Sequence, residues 1–313
     1  MLPIDARILI TGGTGLIGTN LTTRLESLGY KCWSLGSERD LRQTAVCERI
    51  FEEIKPNIVF HLAAKVGGIL ANSTYKADFY SDNVLINTNV INSCAKHGVE
   101  YIFAMGTGCA YPKRLESEEL REIDFLDGVP EFTNDAYAYA KRGLLVHLQA
   151  LQESGGPTFS YCLPANIYGP HDNFHPQHSH VVPGLIRRFC DAQSAAEPVL
   201  NVWGDGTARR DFLHIDDCID AIILLASQRA EGVYNVSTGQ LTTIRELANI
   251  VCQATGFAGT IQFDENLPAG QMQRIFDTSK MVQLGWKPKV DLTAGITSTV
   301  NWFRKNRQSV RER

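Results

Sequence analysis

The sequence lacks any hydrophobic run long enough to cross a bilayer, and it lacks an excess of basic residues. Its 313 residues include 30 Lys and Arg against 34 Asp and Glu, which gives a formal net charge of −4. Nothing in this balance indicates a surface for nucleic acid or for an anionic membrane. The first residues also lack the pattern of a secretory signal peptide, so we expect a cytoplasmic protein.

Disulfide frameworks and metal-binding cysteine pairs are missing as well. The eight cysteines are scattered and include no CxxC pair, which is typical of reduced and mostly buried thiols. Four histidines fall between residues 171 and 180, but Pro176 interrupts them and no clear ligand set accompanies them. We therefore expect no metal site.

A glycine-rich turn near the N-terminus is the first positive signal. The β-branched run Arg7–Thr11 predicts a strand and Thr19–Leu28 has helical periodicity, with the glycines between them. Strand, glycine turn and helix form the context of a dinucleotide fingerprint, although the spacing here is GxxGxxG. The glycines permit a tight turn, a close approach to pyrophosphate, and tight packing of helix on strand. The expected cofactor contacts here are Gly12, Gly15, Leu16, Ile17 and Gly18.

The end of the second predicted strand, Lys31–Leu35, indicates which dinucleotide is bound. An NAD-binding protein usually places an acidic residue there for the ribose 2′-hydroxyl. This chain instead has Ser37 and Arg39 in the following loop, which suit a 2′-phosphate, so we predict NADP(H). The alternative is that Arg39 is only a solvated loop residue. The expected contacts of this part of the cofactor are Ser37, Arg39, Asp40 and Leu41.

Strands and helices continue to alternate along the chain. Asn57–Leu62, Tyr101–Met105 and Phe159–Leu163 read as buried strands, with helical segments between them. This pattern predicts an α/β fold with a doubly wound parallel Rossmann sheet and a smaller mixed α/β substrate-binding region on the C-terminal side. We expect an NADP-binding domain over residues 1–170, with its sheet completed by about 211–240. Residues 171–210 and 241–313 would form the smaller region; that it binds a nucleotide sugar is implied only by a family resemblance, which rests on the motifs below.

The stretch from Gly106 to Lys141 carries the residues with the clearest chemistry. Thr107 and Cys109 follow the strand that ends at Met105, at the edge where open parallel sheets bind ligands. Tyr137 and Lys141 are four residues apart, which places phenol and ammonium on one face of a helix. We expect the ammonium to lower the pKa of the phenol and make it a proton-transfer group. Taken alone, the same spacing also fits two surface residues on a helix.

Several motifs together resemble a known family. TGGTGLIG, HLAA, a hydroxyl residue after the fourth strand, YxxxK and PxNxYGP are similar to those of the extended short-chain dehydrogenase/reductases. AAKVGGI, CAYP, YGPHDNFHPQHSHVVPGLIRRF and WGDGTARRDFLH resemble one branch of that family. This branch epimerises GDP-4-keto-6-deoxy-D-mannose at C3 and C5 and then reduces C4 with NADPH.

The resemblance implies a role for each matching residue. Tyr137 would protonate O4, Lys141 would assist it, Thr107 would bind the substrate carbonyl, and Cys109 with His180 would form the epimerase pair. Further cofactor contacts would be Leu62, Ala63, Ala64, Tyr137, Lys141, Pro164, Asn166, Ile167 and His180. The substrate contacts would be Asn166, Val181, Arg188, Trp203, Arg210 and Lys280.

Gly108 departs from the branch's pattern, in which a second hydroxyl residue precedes the cysteine. We expect the missing side chain to widen the site beside Cys109, which leaves the identity of the sugar open. The alternatives are a C4 reductase of another GDP-4-keto sugar, with partial or no epimerisation, and a non-catalytic dinucleotide-binding regulatory protein. Two long predicted helices, at about 82–96 and 138–152, would suit a homodimer.

Overall fold

The computed structural model describes residues 1–115, 119–264 and 273–310. The strands are β1 Ile8–Thr11, β2 Cys32–Leu35, β3 Ile58–His61, β4 Tyr101–Met105, β5 Glu119–Leu120, β6 Thr158–Pro164, β7 Asn166–Tyr168, β8 Val199–Trp203, β9 Arg209–Arg210, β10 Phe212–His214, β11 Gly232–Val236, β12 Thr242–Thr243, β13 Thr260–Asp264 and β14 Ile275–Phe276. The helices are α1 Leu16–Ser27, α2 Thr44–Ile54, α3 Ile69–Thr74, α4 Lys76–Lys96, α5 Asp135–Glu153, α6 Val181–Ser194, α7 Ile215–Ser227, α8 Ile244–Thr255, α9 Ser279–Gln283 and α10 Leu292–Asn306.

Six parallel strands form the central sheet, in the order β11-β6-β4-β3-β1-β2. Strands β1, β3 and β4 are buried along their whole length, because helices cover both faces of a parallel sheet. The predicted doubly wound α/β fold is therefore confirmed. The strand order reverses between β1 and β3, and parallel sheets bind ligands at the carboxyl ends of the strands at such a point.

A second hydrophobic cluster lies beside the core of the main sheet. It contains Tyr168 and Phe174 together with the apolar faces of α6, α8 and α10. The two-stranded pairs β13-β8 and β12-β9 belong to the same part of the chain. The positions of the domain boundaries stay a prediction. No helix of the described chain combines the length and the apolar character needed to cross a bilayer.

The elements to which the sequence patterns gave bounds lie close to the observed ones, and among them α4 shows the largest difference. The predicted helix began at Asp82, whereas α4 begins at Lys76. The additional turn buries Phe79, whose ring packs edge to face on Tyr137 with a centroid separation of 6.5 Å. The first turns of this helix are therefore stabilised by a contact between distant segments, and the local sequence pattern does not predict that contact.

A buried histidine joins the central strands to the helices behind the sheet. His61 ends β3; its Nδ1 lies 2.9 Å from Thr11 Oγ1 and its Nε2 lies 3.0 Å from Asn87 Oδ1. Thr11 Oγ1 already accepts the amide hydrogens of Leu62 and Ala63, so its own hydrogen is directed to Nδ1. Nε2–H then donates to Asn87, and the ring is held neutral. Burial, followed by the charge of Lys141, lowers the pKa of His61 to about 4.

This histidine should make the fold sensitive to acid. The unfolded chain takes up a proton near pH 6.5, but the native ring does so only near pH 4, so stability falls as the pH drops through this window. We expect a loss of about 3 kcal/mol between pH 7 and pH 4 from this group. Urea unfolding at several pH values measures it. His61→Gln should show a shallower pH dependence, whereas the exposed control His178→Gln should match the wild type. Equal slopes in all three proteins would contradict the assignment.

Candidate active site

The glycine turn after β1 is shaped for close approach. Gly12 has a φ of +72°, and a Cβ on it would lie 2.7 Å from the amide nitrogen of Ala63. A Cβ on Gly18 would lie 2.3 Å from the carbonyl oxygen of Gly12. The first glycine thus permits the turn and the last one permits α1 to pack on it, as the sequence predicted. The loops after β1 and β3 meet here, at the point where the strand order reverses.

The N-terminus of α1 opens toward this crevice. Gly15 is its N-cap and offers no side chain to the helix, and no acidic residue lies in the first turn. The amides of Leu16, Ile17 and Gly18 therefore have no acceptor within the helix, and together with the helix dipole they favour an anion. A bare glycine turn leading into an uncapped helix fits the pyrophosphate of a dinucleotide.

The loop after β2 carries two exposed arginines, Arg39 and Arg42, and Arg42 is paired with Asp40 and Asp82. Ser37 and Arg39 are both exposed, and no ion pair of Arg39 is found within the described ranges. Asp40, by contrast, accepts hydrogen bonds from Arg42, and these bonds lower the pKa of its carboxyl group to about 2. Leu41 is buried in the core. The geometry therefore favours Ser37 and Arg39 as cofactor contacts, and the roles of Asp40 and Leu41 stay predictions.

Helix α5 carries Tyr137 and Lys141 to the end of β4. The amine of Lys141 is buried and donates a 2.8 Å hydrogen bond to the carbonyl oxygen of Met105, the last residue of that strand. It lies 5.9 Å from the centre of the Tyr137 ring. The hydroxyl of Tyr161 in turn donates to the carbonyl of Lys141 at 2.8 Å. The predicted pair is thus brought to the carboxyl edge of the sheet and is fixed there from both sides.

The predicted lowering of the Tyr137 pKa is wrong, because its net shift has the opposite direction. Burial raises the pKa of Tyr137 well above its usual value, and the nearby Cys109 thiol adds to the rise. Burial also lowers the pKa of Lys141 to about 8. The sequence rule considered only the attraction between phenolate and ammonium, but the loss of water outweighs it here. The phenol therefore keeps its proton at neutral pH, as a proton donor must.

Thr107 and Cys109 lie together directly after β4. Thr107 is the N-cap of the short 3₁₀ turn Gly108–Ala110, and its Oγ1 accepts the amide hydrogen of Cys109 at 3.3 Å. The same oxygen lies 2.9 Å from Cys109 Sγ. Since Oγ1 accepts the amide hydrogen, its own hydrogen is available to the sulfur. The thiol is partly exposed and acts electrostatically on Tyr137 and Lys141, so the four groups form one cluster.

The expectation that Gly108 widens the site is wrong. Gly108 is buried, and a Cβ on it would lie only 2.5 Å from Cζ of Phe276. The ring of Phe276 thus already fills the space that a side chain at position 108 would take. The residues near Gly108 do not predict this contact, because β14 comes from the far end of the chain. Phe276, and Arg274 two residues before it, support the turn that carries Cys109, and the sequence patterns missed both.

His180 lies at the start of α6, close to the loop after β3. It is the N-cap of this helix; the residue is exposed, and burial among the surrounding groups lowers the pKa of its ring. The preceding residue faces the loop after β3: a Cβ on Gly68 would lie 3.9 Å from the carbonyl oxygen of Ser179. Pairing of His180 with Cys109 stays a prediction.

The predicted substrate residues are dispersed over the second part of the chain. Arg188 donates to the carbonyl of Asn201, and Arg210 donates to the carbonyl of Arg209 at 2.7 Å. Trp203 is 62% exposed at the end of β8. Lys280 instead covers the sheet's edge strand β11, where its amine donates to the carbonyl of Val233 at 3.1 Å. Asn166 and Val181 are exposed, at the start of β7 and of α6 respectively, and the substrate roles of all six stay predictions.

Asp211 holds together two segments at the carboxyl edge of the sheet, and the sequence patterns did not single it out. Its buried carboxylate accepts hydrogen bonds from Ser237 Oγ, from both donors of Thr238, and from the amide of Gly239. Its carbonyl accepts from the side chain of Asn166 at 2.9 Å. Asp211 thus ties the loop after β11 to the start of β7, two positions at the carboxyl edge of the sheet.

Comparison with known proteins agrees with this geometry. Residues 8–237 match the model of the NAD dependent epimerase/dehydratase family. The chain belongs to that family. Within it, GDP-L-fucose synthase 1 of Arabidopsis thaliana is 42% identical over 307 residues, which cover 96% of this chain and 94% of the relative.

Two further members of the family extend the comparison. A crystal structure of a GDP-L-fucose synthetase from Naegleria fowleri bound to NADP superposes with a TM-score of 0.90 at 31% identity, covering 100% of this chain and 96% of that one. GDP-L-colitose synthase of Yersinia pseudotuberculosis is 30% identical, covering 95% of this chain and 97% of the relative. Both are compared over nearly their whole length, so the likeness includes the second part of the chain.

The buried amine of Lys141 should change how the free energy of unfolding depends on pH in the alkaline range. The native amine loses its proton near pH 8 but the unfolded one only near pH 10.5, so the contribution of this group to stability should rise with pH above 8. We expect a gain of about 2 kcal/mol from this group by pH 9.5. Buried cysteines, whose pKa values burial raises, lower stability in the same range, so the gain is measured as the difference between the wild type and Lys141→Met in urea unfolding from pH 7.5 to 9.5. Lys287→Met, at an exposed position, should follow the wild type. A difference between the wild type and Lys141→Met that stays constant over this range would contradict the lowered pKa.

Proposed function

We propose that this protein is an NADPH-dependent epimerase-reductase that converts GDP-4-keto-6-deoxy-D-mannose to GDP-L-fucose. It would invert C3 and C5 and reduce C4. The observation that carries this proposal is the single cluster formed by Thr107, Cys109, Tyr137 and Lys141 at the end of β4. A thiol is dispensable to a simple reductase, and its place inside the reducing group favours a second reaction in the same site.

Epimerisation needs a base, an acid and a site for negative charge. A C4 ketone makes the hydrogens on C3 and C5 acidic, and their removal gives an enolate. Cys109 as thiolate would remove the proton, and His180 would supply one from the other face. The enolate oxygen would be stabilised by hydrogen bonds from Tyr137 and Thr107.

Thr107 has one hydroxyl hydrogen, and the proposed reaction has two acceptors for it: the sulfur of Cys109 and the enolate oxygen. While Cys109 is a thiolate, this hydrogen stabilises the sulfur, 2.9 Å away. Once the sulfur has taken a proton from the sugar, the thiol donates to Thr107 instead. The Thr107 hydroxyl is then free to donate to the enolate oxygen. Proton transfer to the sulfur and stabilisation of the oxygen are thereby coupled through one side chain.

The reduction uses the same oxygen site. The glycine turn and the loop after β3 would hold NADPH, which would supply the hydride when bound. As C4 becomes tetrahedral, its oxygen develops into an alkoxide, which takes the proton of Tyr137. An alkoxide is a stronger base than a phenolate, so the raised pKa of Tyr137 leaves this transfer favourable. Lys141 then stabilises the phenolate that remains.

A second candidate is a C4 reductase of another GDP-4-keto sugar. The likeness to GDP-L-colitose synthase favours keeping it, because that relative is similar over nearly the whole chain. Product identification by NMR after incubation with NADPH and GDP-4-keto sugars separates the two. A non-catalytic regulatory protein is less consistent with a complete set of Thr107, Tyr137 and Lys141.

The assembly proposed is a homodimer built on α4 and α5. These helices pack against each other, and each also exposes large apolar or aromatic side chains. They include Tyr80 and Leu85 on α4 and Tyr139 and Val146 on α5, all more than 40% exposed. An exposed apolar surface of this kind is typical of an interface between subunits. A cytoplasmic location stays a prediction.

Replacement of the thiol should separate the two reactions. Cys109→Ser should reduce deuterium incorporation from solvent at C3 and C5 by about 100-fold or more, because serine is a far weaker base. Mass spectrometry of the recovered sugar measures it. Tyr137→Phe should retain a measurable part of the exchange yet fail to oxidise NADPH, and Cys32→Ser controls for loss of a thiol elsewhere. Undiminished exchange in Cys109→Ser would assign the base to another group.

Arg39 should decide the choice of cofactor. Arg39→Ala should raise the KM for NADPH by about tenfold or more, since it removes a charge-assisted contact with the 2′-phosphate. The KM for NADH should change little. Arg49→Ala, at an exposed position on α2, is the matched control and should change neither value. Equal effects of Arg39→Ala on the two cofactors would refute the 2′-phosphate contact.

A further inference from the structure

The turn that carries Cys109 is supported by a segment from the far end of the chain. Strand β14 pairs in parallel with β5, and this places Phe276 against the buried Gly108. Two residues earlier, the guanidinium of Arg274 donates to the carbonyl of Gly108 at 2.6 Å. One side chain therefore fills the space beside Gly108, and another holds its backbone.

The fit between Gly108 and Phe276 is tight. A Cβ on Gly108 would lie 2.5 Å from Cζ and 2.8 Å from Cε1 of the ring, and 3.0 Å from the carbonyl oxygen of Pro164. Contacts below 3.0 Å force one partner to move. The ring of Phe276 is itself only 4% exposed, so it has little room to withdraw. The turn would have to move instead, and Cys109 with it.

The ring is fixed from behind by an aromatic and polar network. Phe276 packs edge to face on Tyr111, with a centroid separation of 6.1 Å. The hydroxyl of Tyr111 donates to Asn235 on strand β11 at 2.8 Å. The side chain of Asn235 donates to the carbonyls of Leu120 and Asp277, which belong to or follow the β5-β14 pair. Phe276 is thereby tied to the edge of the central sheet.

We propose that Phe276, acting through Gly108, is a positioning residue that sets the place of the Cys109 thiol relative to Thr107 and Tyr137. The pair Gly108 and Phe276 forms one unit, in which an absent side chain on the turn is matched by a large ring from β14. The inference rests on the proposed function for its effect on catalysis. Its effect on the thiol itself does not depend on any substrate.

The experiment uses a cycle of the wild type, Gly108→Ala, Phe276→Ala and the double variant. Exchange of deuterium at C3 and C5 measures epimerisation, and oxidation of GDP-L-fucose by NADP+ measures C4 chemistry alone. Gly108→Ala should lower exchange by about tenfold or more, because a shift of the base by a fraction of an ångström is costly. It should lower C4 oxidation by about twofold at most. The double variant should recover most of the exchange, though not all, since the Pro164 carbonyl remains close.

A matched control separates positioning from general loss of stability. Phe257 is similarly buried, at 6% exposed, but lies in the second hydrophobic cluster. Phe257→Ala should lower stability without changing the ratio of exchange to C4 oxidation. If the double variant is no better than Gly108→Ala, or if exchange and oxidation fall together, the positioning role is overturned.

Alkylation of the thiol tests the proposal independently of the sugar. The rate of modification of Cys109 by iodoacetamide, followed peptide by peptide, should change about threefold or more in Gly108→Ala and return toward the wild-type rate in the double variant. The half-exposed Cys32 serves as the internal standard. Identical Cys109 rates in all four proteins would refute the proposal. If the four proteins show this pattern of alkylation rates but the wild type exchanges no deuterium, the proposed function is refuted and the positioning role stands.

Discussion

The buried hydrogen bond from the amine of Lys141 to the carbonyl of Met105 is the contact on which the site depends. It joins the helix that carries the phenol to the strand that leads into the thiol, so both groups meet at the same sheet edge. Withdrawal of this amine from water lowers its pKa to about 8. The same dry environment keeps the Tyr137 phenol protonated. Loss of water therefore disfavours the charged form of both groups: it lowers the pKa of the amine and raises the pKa of the phenol.

Around this contact, the site is assembled from loops at the carboxyl edge of the sheet. The glycine turn after β1, the loop after β3, and the turn after β4 each contribute a short stretch without large side chains. Small residues at these positions let backbone approach backbone, as Gly12 does against Ala63. Buried polar groups then hold the loops in place. His61 joins β1 and β3 to α4, and Asp211 joins the loop after β11 to β7.

The parts of the fold and site that the sequence predicted correctly are those with a local cause. The strand Tyr101–Met105 was placed residue for residue, because a continuous apolar run depends only on near neighbours. The glycine turn and the spacing of Tyr137 and Lys141 are also local. The start of α4 and the filling of the space beside Gly108 depend on Phe79 and Phe276, whose partners are far away in the chain.

The α/β alternation, the glycine turn, the YxxxK pair and the chemical types of the groups at the site can all be predicted from the order of residues. They follow from short-range sterics and periodicity. The direction of the Tyr137 pKa shift and the surroundings of Gly108 depend on the folded chain. Both are set by what packs against a residue and how much water that packing removes. Such neighbours are brought in by the pairing of strands distant in sequence, which no local pattern encodes.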